Sequence, residues 1–95
     1  MDEETASRIA QKLKPRYPDA QTAQTGGGFI NVYWTEDLDG ELRSFVLGQE
    51  GGGFAVDVYQ GDYMKDDEAL FLWPHEFDDM SEDEVIAEIT GAKSR

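Results

Sequence analysis

Cysteine is absent from this chain, which excludes disulfides, thiolate metal sites and thiol nucleophiles together. Histidine occurs once, as His75, and leaves little material for imidazole catalysis or a zinc site. Positive charge is scarce, with eight lysines and arginines against 21 acids and a net charge of −13. No apolar run approaches the ~20 residues needed to span a bilayer. The opening Met1-Asp2-Glu3-Glu4 carries the wrong sign for the n-region of a signal peptide, so a cytoplasmic location is the expectation.

What is present suffices for one small domain. With 39% hydrophobic and 12% aromatic residues among 95, a single thin core is expected over residues 1–95, with a net stability of roughly 5–10 kcal/mol. The acid excess is uneven. Residues 1–19 are balanced, four bases against four acids, whereas residues 20–91 hold 17 acids against Arg43 and Lys65 alone. Affinity for a phosphate backbone comes from cations that displace counterions, so direct binding to nucleic acid or to an anionic membrane is not expected.

Hydrophobic spacing divides the chain into elements. Ala6, Ile9, Ala10 and Leu13 share a helical face, which predicts a helix from Glu3 to Leu13 with Asp2 as N-cap and Pro15 and Pro18 as stops. Phe29 to Trp34, Leu42 to Leu47 and Phe54 to Tyr59 are β-branched and aromatic and read as strands. Ala69 to Trp73 reads as a last strand ended by Pro74, and Ala20 to Thr25 as a weak edge strand. Turn chemistry lies between them, at Gly26 to Gly28, Asp37 to Gly40, Gly51 to Gly53 and Lys65 to Glu68. Ser81 and Glu84 form a capping box ahead of Val85, Ile86 and Ile89, Met80 with Val85 supplies a hydrophobic staple, and Gly91 is placed as a C-cap. The expected fold is α+β, an antiparallel meander of four to five strands with the N- and C-terminal helices packed on one face.

Catalytic signatures are missing. Both glycine runs lead into strands with no nearby lysine, unlike a phosphate-binding loop. They also form a near-repeat, Gly-Gly-Gly-Phe at 26–29 and 51–54, best read as two solutions to one turn problem. His75 next to Glu76 lacks a serine in a nucleophile-elbow setting and reads as a loop residue that closes the core with Trp73 and Phe77. Asp37-x-Asp39-Gly40-Glu41 resembles the start of a calcium loop, but Val46 occupies the position that requires glutamate. No enzyme activity, cofactor or metal is therefore expected.

Charge leaves three accounts. In the first, the chain is a non-enzymatic binding or inhibitor protein whose acidic surface meets a basic protein surface, such as that of a nucleic-acid-binding protein. The contributing acids would be Glu36, Asp37, Asp39, Glu41, Asp62, Asp66, Asp67, Glu68, Glu76, Asp78, Asp79, Glu82 and Asp83, with Trp34, Tyr59, Tyr63 and Trp73 as aromatic anchors. Mimicry of the phosphate ladder is its sharpest form, and small phage-encoded anti-restriction and anti-CRISPR proteins are similar in size and charge, though no motif carries that likeness. This account requires the carboxylates after Ala20 to gather on a shared side. In the second, the chain is a housekeeping or accessory domain whose acidity reflects halophilic adaptation. In the third, it is an accessory domain that pairs through a sheet edge into a homodimer.

Overall fold

A computed structural model of the chain describes residues 1–50 and 52–91. Helix α1 (Glu3–Leu13) is followed by strands β1 (Gln21–Thr25), β2 (Phe29–Leu38), β3 (Glu41–Glu50), β4 (Gly53–Gln60) and β5 (Leu70–Phe77), and then by helix α2 (Glu82–Thr90). The strands form one antiparallel sheet in sequence order, β1-β2-β3-β4-β5. It is the expected α+β meander. Short loops join neighbours because no crossover is needed.

Each helix starts where its side chains can satisfy free backbone donors. Asp2 accepts a hydrogen bond from the Thr5 N–H, 2.7 Å away, and these bonds hold its carboxyl below the usual aspartate value. Ser81 and Glu84 close the reciprocal capping box on α2, and Gly91 ends that helix with φ 76°, in the left-handed region that glycine enters without strain. Replacing Ser81 by alanine should lower stability by about 1 kcal/mol, read as a shift in urea midpoint at constant m-value.

Both helices lie on one side of the sheet. Ile9, Leu13 and Val85 join Val32, Trp34, Leu47, Val56 and Phe77 in a single buried cluster. Salt bridges fasten α2 to α1: Arg8 with Glu82 at 2.7 Å and Lys12 with Asp83 at 3.0 Å. The Arg8 hydrogen bond, followed by that of Lys12, holds Glu82 below its ordinary 4.5 against the opposing effect of partial burial. Because that value is lowered on folding, the pair stabilises the fold above about pH 4.5 and loses its effect as pH falls through the lowered value. No described helix is long and apolar enough to cross a membrane.

Two expectations need correction. The last strand does not stop at Pro74 but continues to Phe77. As the outermost strand, β5 has no neighbour beyond it, so a proline nitrogen can face the free edge without breaking the ladder. His75 is consequently a strand residue rather than a loop residue, exposed, with its ring 4.7 Å from that of Phe77. The two Gly-Gly-Gly-Phe runs also differ in outcome. Phe54 is in the helix-side core, while Phe29 is 66% exposed and lines a hollow on the opposite face with Asn31, Gly48 and Asp57. Gly51 of the second run lies outside the described residues.

Candidate functional site

The β2–β3 turn and the β4–β5 loop meet at one end of the sheet. Asp39 and Gly40 take φ values of 55° and 83°, the left-handed pair that a two-residue hairpin requires. Asp37 accepts the Gly40 N–H at 2.8 Å. The turn therefore projects Asp39 and Glu41 into solvent. In the β4–β5 loop, Gly61 at φ 91° donates its N–H to the Leu42 carbonyl at 2.9 Å, which ties the loop to the turn.

The first part of that loop folds back over the sheet face that carries no helix. Asp62 Oδ1 accepts from the Tyr33 hydroxyl and, at 3.0 Å, from the Met64 N–H. The Tyr63 N–H donates to the buried Ser44 hydroxyl at 3.0 Å, and its ring lies 4.5 Å from that of Tyr59. Burial, then the Asp62 bond, pushes the Tyr33 hydroxyl well above its ordinary 10.0. A raised folded value means that the unfolded chain gives up its proton first, so stability falls as pH rises beyond about 10. Replacing Tyr33 by phenylalanine should cost about 1.5 kcal/mol at neutral pH and flatten the alkaline limb of a pH–stability curve. An unchanged alkaline limb would show that the anchor contributes nothing.

With Asp62 and Tyr63 turned inward, Asp66, Asp67 and Glu68 are turned outward beside the hairpin. Glu41, Asp66 and Glu68 share a hollow of about 360 Å3 with Leu42, Gln60 and Leu70. The apolar members are unusually open. Leu42 and Leu70, which line the hollow, are 40% and 63% exposed; Leu38, Met64 and Phe71 are exposed nearby on the adjoining strands and loop, with Leu38 and Phe71 on opposite faces of the sheet. Isolated exposed leucines are ordinary, whereas apolar side chains grouped inside a charged rim have the make-up of a binding surface. Besides the inward-turned Asp62, charged residues on the turn and loop are Asp37, Asp39, Glu41, Asp66, Asp67 and Glu68 against the single cation Lys65.

The remaining acids after Ala20 are placed elsewhere. Glu76, Asp78 and Asp79 surround a hollow of about 450 Å3 with Gly52, Gly53, Phe54 and Ala55. That hollow is at the opposite end of the sheet, roughly 25 Å away by the length of β5. Glu36 pairs with Arg16 at 3.1 Å, and Glu82 and Asp83 are taken up by α1. The carboxylates after Ala20 therefore do not gather on one shared side as expected; they divide between the two ends of the sheet and a set of internal pairs. Among the aromatics, Trp34 is 2% exposed and sandwiched between Tyr17 and Phe45 at 5.6 and 5.4 Å, so it is core rather than an anchor. Tyr59 and Tyr63 pack on each other. Trp73 is 45% exposed, with the Arg43 guanidinium 5.2 Å from its ring.

Leu38, Leu42, Met64, Leu70 and Phe71 were not legible as surface residues. The signal was present in part: Leu38 and Leu42 sit among acids on either side of a turn, where a buried strand face is already ending. Among the described residues, no three of His, Cys, Asp and Glu converge on a metal-sized space. Neither protein-family models, nor curated proteins, nor solved structures give a match to this chain.

Proposed function

We propose that the chain is a non-catalytic binding protein that presents the hairpin end of its sheet to a basic protein surface. The observation that carries this reading is the coincidence of the outward acids with the exposed apolar side chains around the Leu42 and Leu70 hollow. Carboxylates alone would steer a cationic partner and speed encounter. Apolar groups inside the acidic rim supply area that can be desolvated on contact, which is where interface energy concentrates. The partner's complementary surface is cationic with apolar content. Proteins that bind nucleic acid display such surfaces, and occupying one would inhibit it, as an anti-restriction or anti-CRISPR protein does. A partner of that kind fits a cytoplasmic location.

The test is capture on immobilised protein at two ionic strengths. A basic protein retained at 50 mM salt and released at 0.5 M is the expected result, because the Debye length falls from about 14 to about 4 Å over that range. Retention of acidic and basic proteins alike would overturn the reading.

One observation favours halophilic adaptation instead, namely the second acidic group at Glu76, Asp78 and Asp79, which a contact at the hairpin end does not use. Thermal unfolding against salt separates the two. The binding reading expects a protein already folded in dilute buffer, with only a modest gain in Tm as self-repulsion is screened. A fold that appears only in molar salt would assign the acids to adaptation.

A further inference from the structure

Independently of that binding reading, we propose that the chain pairs with a second copy of itself through the free edge of β1, in an antiparallel register centred on Ala23. The meander has two open edges, β1 and β5, and each offers unpaired backbone N–H and C=O groups to another strand. The two edges differ. Pro74 removes a donor in the middle of β5, and a register shift between Val58 and Tyr59 interrupts the pairing of that strand with β4. Strand β1 has neither device: Gln21–Thr25 pairs with β2 without a shift and contains no proline. Charge selects the same edge. No charged residue occurs from Ala20 to Thr35. Asp19, just before β1, is turned inward, its carboxylate accepting from the Thr35 N–H at 3.0 Å. A second chain of net charge −13 therefore meets no carboxylate along β1, whereas either end of β5 would set acid against acid.

Helix α1 supplies the second contact. It packs on β1 and β2 alike, so its axis lies about half a strand spacing inside the edge. The Met1 amino group donates to the carbonyl of Ile30, the register partner of Gln24, at 3.3 Å, which sets α1 antiparallel to β1. The helix and the strand both span roughly 17 Å, so a two-fold axis through Ala23 also passes the middle of α1. Two copies related by that axis hold their α1 helices antiparallel and two strand spacings apart, roughly 10 Å, which is the distance of packed helices. One flank of α1 is taken up by α2 through Arg8 and Lys12. The opposite flank presents Glu3, Ser7 and Lys14, all exposed. The antiparallel arrangement brings Glu3 beside Lys14 of the second copy, and by symmetry the reverse, with the small Ser7 between them. Among the described residues, no ion pair occupies Glu3 or Lys14. Both hairpin ends stay free, at opposite ends of one continuous sheet with five strands from each copy.

Sedimentation equilibrium at physiological salt reads the association. The mass should rise from 10.7 kDa towards twice that value as concentration goes from micromolar to millimolar. Over the same range, hydrogen exchange should slow at the amides of Gln21–Thr25 and not at those of Leu70–Phe77. Glu3→Lys and Lys14→Glu should each weaken the dimer about tenfold, because each sets like charges across the axis. Combined in one chain, the two substitutions face opposite charges again and should restore pairing. Thr22→Glu together with Gln24→Glu lines the edge with carboxylates and should leave a monomer. Both of those side chains are exposed, so the far-UV circular dichroism should be unchanged. A chain that stays at 10.7 kDa at millimolar concentration overturns the proposal. A dimer whose new protection falls on Leu70–Phe77, or one that withstands the Thr22 and Gln24 substitutions, also overturns it. Failure of the combined Glu3 and Lys14 swap to restore pairing overturns the α1 contact and the register built on it.

Discussion

Trp34→Ala should leave the protein largely unfolded at room temperature in mild denaturant. The indole is sandwiched between Tyr17 and Phe45 and is 2% exposed. Truncating a buried tryptophan removes its transfer energy and leaves a cavity, a loss of about 3–5 kcal/mol. A domain of this size has about 5–10 kcal/mol to lose. The damage also spreads across layers, because the Tyr17 hydroxyl donates to the Ile89 carbonyl at 3.1 Å and so couples the segment after α1 to the last turn of α2. Trp34→Phe keeps a stacked ring and should lose less than half as much. Urea unfolding followed by far-UV circular dichroism reads both variants. A loss below 1 kcal/mol for Trp34→Ala would show that the stack is not the centre of the core.

The second large effect concerns binding. Reversing Glu41, Asp67 and Glu68 to lysine should weaken capture of the basic partner about a hundredfold or more, since like charges placed across a contact cost several kcal/mol. These three leave the turn and loop bonds of Asp37, Asp62 and Asp66 in place, so the fold should persist. Reversing Asp78 and Asp79 at the other end should weaken capture only through the long-range field, by less than tenfold and mainly at low salt. If the two sets of variants weaken capture equally, the partner responds to net charge and not to the hairpin end. If the Asp78 and Asp79 variant alone fails, the contact is at the opposite end.

Much of the fold could be read directly. The α1 boundaries follow from Ala6, Ile9, Ala10 and Leu13 together with Asp2, and the α2 boundaries from Ser81, Glu84 and Gly91, because these signals are local and each satisfies its own backbone. Strand identity was equally plain in Phe29 to Trp34 and Phe54 to Tyr59. The end of β5 was misread because a proline's effect depends on whether its nitrogen faces a neighbour or a free edge, and sheet order is not a local property. The exposure of Leu70 and Phe71 was hidden for the same reason: in an outermost strand, an apolar run does not imply burial on both faces.

The site was less legible. Thirteen acids after Ala20 looked alike as potential contacts. Folding separated them by partner, giving Glu36 to Arg16, Glu82 and Asp83 to α1, and Asp62 to Tyr33. Strand length then placed the Glu76 group and the Asp66 group at opposite ends.

The amino-acid order by itself determined the class of fold, both helix termini, the turn positions and the sign of the surface, since propensity, capping and charge act over a few residues or depend only on composition. Only the tertiary structure decided which carboxylates remain free, which apolar side chains stay wet and where the two coincide. Those outcomes depend on distances between residues up to 74 positions apart, such as Arg8 and Glu82, and short-range patterns do not encode such distances.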